Sequence, residues 1–173
     1  EIDSFDGSNG KSLNEFTNYE ITTLTNSPNK ANETHFHKNK SSNNSFFYNE
    51  SFLSIDNFLD NNQQNIFYKN YKFDCIYERA AFQFYGKNRE DHILHANKYL
   101  NANGLIFFLE KLSHRSKEIF QKQEDTKDWE FKTRYFTEKE ILWKRNEMVN
   151  EMNEGLISLD DFLLILSNQY SNV

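Results

Sequence analysis

The stretch from Phe73 to Leu112 constrains the fold more than any other part of the chain. "FDCIYERAAF" opens with an alternating apolar run that predicts a strand from about Phe73 to Tyr77. "REDHILHANKYL" then places Ile93, Leu94, Ala96, Asn97 and Leu100 at helical spacing. The following "NANG" reads as a helix stop, with Gly104 taking the left-handed conformation of a C-terminal cap. "LIFFLEKL" is an almost unbroken apolar run of strand length, the pattern of a strand covered on both faces in a parallel sheet. Strand, helix, Gly turn and buried strand make a βαβ unit, so the fold class is α/β with a mostly parallel sheet.

The remainder is arranged around that unit. "EIDSFD" predicts a short strand entering a turn at "GSNG", and "KSLNEF" begins a helical pattern. Residues 17–45 hold little apolar content and read as a polar, mobile insertion. An aromatic strand at 45–49 leads to Glu50, Ser54 to Leu59 predict a short helical turn, and "NNQQN" is a loop. From Ser113 the chain reads as helical, residues 113–173 forming a C-terminal helical region. Thr137 with Glu140, and Ser158 with Asp161, have the spacing of capping boxes.

Composition removes several function classes. At 173 residues the chain is read as a single domain. A net charge of −6 argues against a nucleic-acid binder, which needs clustered cations to displace counterions from phosphates. A single cysteine, Cys75, leaves no internal disulfide and no thiolate metal cluster, and within its strand it reads as a small buried hydrophobe. No run approaches the roughly 20 apolar residues that span a bilayer. The expectation is a cytoplasmic monomer with no membrane partner and no metal. Because the sequence starts at Glu1 without Met, one or both ends are read as cut.

Chemistry concentrates at the strand ends. In parallel α/β sheets, ligands bind outside the carboxyl ends of the strands, where strand order reverses. Three predicted strands carry an acid there: Asp6 after "EIDSF", Glu50 after "FFYN" and Glu78 after "DCIY". A carboxylate accepts two hydrogen bonds from a ribose diol, and another suits an adenine amino group. Each acid also has a plainer reading: Asp6 as a turn or cap residue, Glu50 as a solvated strand-end acid, and Glu78–Arg79 as a surface ion pair. "GSNGKS" at 7–12 lacks the leading Gly of a phosphate loop, since Phe5 stands there. His35 with His37, and His92 with His95, have chelating spacing but no third ligand, so they read as solvated.

"FDCIYERAAF" with "REDHILHANKYLNANGLIFFLE" resembles the fourth and fifth strands of class I S-adenosylmethionine-dependent methyltransferases, especially the thiopurine methyltransferase-like branch. "FDGSNGKSLNEF" is similar to that family's second strand and following helix, and "SFFYNESFLSI" to its third strand. The resemblance implies a partial Rossmann-like sheet and methyl transfer from S-adenosylmethionine to a small-molecule acceptor. It puts Asp6 on the cofactor ribose and Glu50 near adenine. Ser51 and Tyr77 complete the expected cofactor-binding set, and Glu78 and Arg79 face the transferred methyl as catalytic candidates. The family's first strand and Gly-rich loop are expected before Glu1, which makes the chain a fragment of a longer enzyme, inactive alone. The alternative is a degenerate or truncated α/β domain acting as a non-catalytic binding module.

Overall fold

The computed structural model describes residues 1–40, 42–61 and 71–173. The expected "NNQQN" loop lies, after Asn61, outside the described residues. The protein is mixed α/β, and its contacts divide it into two compact units: Glu1–Ala81 with His92–Glu110, and Phe82–Asp91 with Lys111–Val173.

The first unit holds the strands. Strands β1 (Thr23–Asn26) and β2 (Ser45–Tyr48) pair in parallel with Thr23 opposite Ser45. Strands β3 (Phe73–Arg79) and β4 (Leu100–Leu109) also pair in parallel, with Cys75 opposite Leu105 and Arg79 opposite Leu109. Residues 1 and 2 run between the two pairs. The Glu1 nitrogen donates to the Leu24 carbonyl at 2.8 Å, and Asn26 N–H donates to the Glu1 carbonyl at 3.2 Å. On the other side Ile2 N–H donates to the Tyr77 carbonyl at 2.9 Å, and Ile2 forms a parallel bridge with Glu78. The order in space is therefore β2, β1, residues 1–2, β3, β4.

Helix α1 (Ser8–Phe16) follows directly, entered through Gly7 at φ 68°. Its fully buried Asn14 donates to Ser45 Oγ at 2.7 Å and Thr23 Oγ1 at 3.2 Å, tying the helix to the starts of both strands. Helix α2 (Lys30–Asn39) is capped by Asn29 and packs Phe36 against Phe47. On the opposite sheet face Leu24, Leu59 and Tyr99 form the core, with Phe46, Tyr48 and Phe58 packed against it. Leu59 belongs to helix α3 (Ile55–Asp60), which follows a 3₁₀ turn at Phe52–Ser54. Helix α4 (Arg89–Asn97) buries Ile93 and Ala96.

Several expectations change. Residues 17–45 are a strand and a helix, not a structureless insertion. The "NANG" segment is no helix cap: α4 ends at Asn97, and residues 101–104 form an irregularity inside β4, between the Phe73–Leu100 and Cys75–Leu105 pairs. Gly104 packs against Leu100, where an added Cβ would meet Leu100 Cδ1 at 2.7 Å. Strand β4 is not covered on both faces, since Leu105, Phe107 and Leu109 are exposed. Cys75 shares that face and is exposed, not buried. His92 and His95 are not solvated: both set their rings edge-on to Phe52, and His92 is buried.

The second unit is helical. Helix α5 (Lys117–Thr126) continues through a π-turn at Lys127–Phe131 and a 3₁₀ turn at Lys132–Arg134. Helix α6 (Glu138–Lys144) continues through a second π-turn, Arg145–Val149, into α7 (Asn150–Glu154). The predicted Thr137–Glu140 capping box forms in both directions. Helix α8 (Leu159–Gln169) is capped by Ser158, which accepts from Asp161 N–H. Buried Arg89 donates to the carbonyls of Phe82 at 2.7 Å, Gly86 at 3.1 Å and Gly155 at 3.1 Å. Gly155 is needed at that contact, because a Cβ there would lie 2.0 Å from the Gln83 carbonyl oxygen.

Candidate functional site

The carboxyl ends of the parallel strands gather one set of polar groups in the first unit. Beyond Ile2 the backbone turns through Asp3 at φ 47°, Phe5 at φ 43° and Gly7 at φ 68° before entering α1. Left-handed backbone costs a non-Gly residue of order 1–2 kcal/mol, and such strain persists only where the surroundings over-determine it. Here the surroundings are specific. The Glu1 carboxylate accepts from Gly10 N–H at 2.9 Å, Thr25 Oγ1 at 2.9 Å and Ser4 Oγ at 3.2 Å, clamping the turn to β1 and to the first turns of α1. A Cβ on Gly10 would meet Glu1 Oε2 at 2.7 Å, and one on Gly7 would meet Phe36 at 2.8 Å, so both glycines permit close packing of loop, helix and strand.

Asn26, at the end of β1, joins three strand ends. Its Nδ2 donates to Asp3 Oδ1 and, at 3.0 Å, to the Glu50 carbonyl, while its Oδ1 accepts from Asp3 N–H at 3.0 Å. Asn49 Nδ2 adds a bond to the Ser27 carbonyl at 2.9 Å. The third strained position lies at the end of β3: Ala80 has φ 51° and donates its N–H to the Leu109 carbonyl at 2.7 Å.

The structure places the expected residues as follows. Asp6 is not at the end of the neighbouring strand β1. It lies within the Gly turn, where its carboxylate accepts from Ser8 N–H at 3.2 Å and from Asn39 Nδ2 at 2.8 Å. Glu50 is exposed just past β2. Ser51 caps the 3₁₀ turn, its Oγ accepting from Leu53 N–H at 3.2 Å. Tyr77 is half-buried opposite Phe107 and gives its carbonyl to Ile2. Glu78 is wholly buried, and one of its oxygens accepts from Ala81 N–H. Arg79 is exposed. Asp6, Glu50, Ser51 and Glu78–Arg79 therefore all lie on or just past one end of the sheet.

Sequence reasoning missed Glu1, Asp3 and Asn26. "EIDSFDGSNG" held the signal, an acid and an apolar residue leading into a Gly turn and a helix, but it was assigned to the wrong strand. Two hollows flank this unit's strands. A cavity of about 50 Å³, touching Ile2, Leu24, Asn26, Phe52 and Tyr99, is far below the roughly 300 Å³ of small ligand sites. A groove of about 1080 Å³ is lined by Phe36 and Phe47 from one face of β2, Tyr48 and Phe58 from the other, and Glu50, so it wraps the strand's outer edge.

Among the described residues no group of three or more His, Cys, Asp or Glu side chains is arranged to hold a metal ion, and no helix is long and apolar enough to cross a membrane. No protein-family model matches the chain, and no curated protein sequence matches it either.

Proposed function

We propose that the chain binds S-adenosylmethionine at the carboxyl ends of its strands and belongs to an enzyme that transfers the methyl group to a small, anionic acceptor. One observation carries this reading. Residues 1–2 lie between β1 and β3, and the chain leaves them through a Gly-containing turn into a helix. Counted from that central segment, the spatial order reads 3-2-1-4-5, the doubly wound arrangement whose ligand crevice sits where the order reverses. The Gly turn that the family resemblance expects before Glu1 thus has a counterpart at residues 3–10.

The residues fit such a cofactor in part. The backbone of the Asp3–Gly10 turn, Asp6 included, would lie against its amino-acid portion. The position after β1, where a ribose-binding acid is expected, holds Asn26, with the Asp3 carboxylate beside it. Glu50 and Ser51 would flank the adenine, with Tyr77 on the strand beside the central segment. Bound there, the cofactor supplies an electrophilic methyl on a sulfonium, and no covalent enzyme nucleophile is required. Holding the acceptor in line supplies most of what such a displacement needs, and exposed Arg79 would orient an anionic group.

Isothermal titration calorimetry with S-adenosylmethionine and S-adenosylhomocysteine tests the reading. Saturable binding is expected, weakened about tenfold or more by Asn26→Ala, the loss of roughly one to two well-placed hydrogen bonds. A folded chain that binds neither compound overturns it, as does Mg-ATP binding that depends on Lys11. A non-catalytic binding module is the second reading. It is favoured by Asn26 standing in place of an acid, and by Phe5, 63% exposed at a left-handed position where glycine is usual. Cofactor binding without turnover on any anionic acceptor would select it.

A further inference from the structure

We infer that Glu78 is a positioning residue, whose buried carboxylate sets the turn that presents Arg79 at the ligand end of β3. The inference rests on the reading that this end of the sheet binds a ligand. Strand alternation puts Glu78 and Ile76 on one face, both buried, and Arg79 on the other, exposed and opposite Leu109. Immediately after Arg79 the backbone enters the left-handed region at Ala80. The Glu78 oxygen accepts from Ala81 N–H across that residue, and Ala80 N–H is taken by the Leu109 carbonyl. The carboxylate thus holds the backbone on the far side of the strained residue, while 0% exposure at Glu78 withholds it from solvent. This role needs an acceptor oxygen and no negative charge, so glutamine at position 78 performs it.

The test compares Glu78→Gln and Glu78→Ala. Amide hydrogen exchange at Ala81, read by NMR, reports the turn independently of any ligand, and calorimetry with S-adenosylhomocysteine reports the site. E78A is expected to lose about tenfold in Ala81 protection and about tenfold in affinity, with E78Q restoring both, as fits one buried hydrogen bond. Unchanged Ala81 protection in E78A overturns the inference. So does an E78Q protein with a protected Ala81 and affinity reduced about tenfold, because the charge itself would then touch the ligand. If E78A does not fold, E78Q alone decides by the same two readouts. A wild-type protein that binds no S-adenosylhomocysteine refutes the functional reading, while the exchange measurement still decides the role of Glu78 in the turn.

Discussion

Gly10 donates its backbone N–H to Glu1 Oε2 at 2.9 Å, so the third residue of α1 is anchored to the residue that starts the central segment. The same oxygen takes the Thr25 hydroxyl, and the other oxygen takes that of Ser4. One carboxylate therefore fixes a strained turn, a helix and a neighbouring strand. Glu1→Ala is expected to lower stability by about 2–3 kcal/mol, the scale for hydrogen bonds to a charged group. Glu1→Gln should cost less, because the Ser4 hydroxyl can reverse and accept from the new amide. Urea denaturation of the three proteins measures the difference.

Ala80 carries its strain for the turn and not for its side chain. Ala80→Gly removes the left-handed penalty while adding unfolded-state entropy, and the balance is a gain of about 0.5–1 kcal/mol. Valine at the same position should destabilise. A shift of the denaturation midpoint at constant slope is the readout.

Asp128 is 1% exposed and bonded to Lys132 Nζ at 2.7 Å and Arg145 Nε at 2.9 Å. Asp128→Ala leaves two cations facing an emptied pocket. The expected loss is about 3 kcal/mol, near the low end for breaking a buried pair because both cations are partly solvated. A double-mutant cycle with Arg145→Ala should recover a coupling of at least about 1 kcal/mol.

Acid should weaken the protein in two steps. His95 is held below its ordinary 6.5, first by burial, against the opposing bond to the Phe52 carbonyl. A depressed base favours the neutral fold, so stability is present above pH 6.5 and falls as pH drops below it. Burial alone would raise Asp128 and Glu124. Lys132 and Arg145 outweigh it for Asp128, and Lys127 and Lys111 for Glu124, so both are held below their ordinary 3.8 and 4.5. Their contribution is present above those values and is lost as pH falls through the lowered ones. Denaturation midpoints from pH 8 to 2 should show both limbs, with Asp128→Asn flattening the lower and His95→Gln the upper.

The legible part of the sequence was the part where burial writes a period. The β3–α4–β4 unit and both helix caps of the C-terminal region were readable because apolar spacing and Thr/Ser–acid spacing report local geometry directly. Strand β1 was hidden because its sequence is "TLTN": only Leu24 enters the core, while the Thr23 and Thr25 hydroxyls are absorbed by Asn14, Ser45 and Glu1. The central segment was misplaced for a different reason. Two residues bonded on both sides generate no alternation at all, and their partners lie more than 20 residues away. At the site, the acids past β2 and β3 were found, but the amide linking the ends of β1, β2 and the central segment was not, since an Asn in an Asn-rich chain carries no signal.

The two π-turns leave a mark on how this chain can change over generations. Each π-turn holds one residue more than the α-helical ladder needs, which advances every later side chain by about 100° around the axis. Deleting one residue from 127–131 would yield a more regular helix yet swing Lys132 away from Asp128, and a deletion from 145–149 would rotate α7 and its Asn153, which Lys111 grips at 2.9 Å. Each longer-than-ideal turn is locked in by the ion pairs beyond it. Lineages of this protein should therefore tolerate substitutions along these helices far better than single-residue gaps.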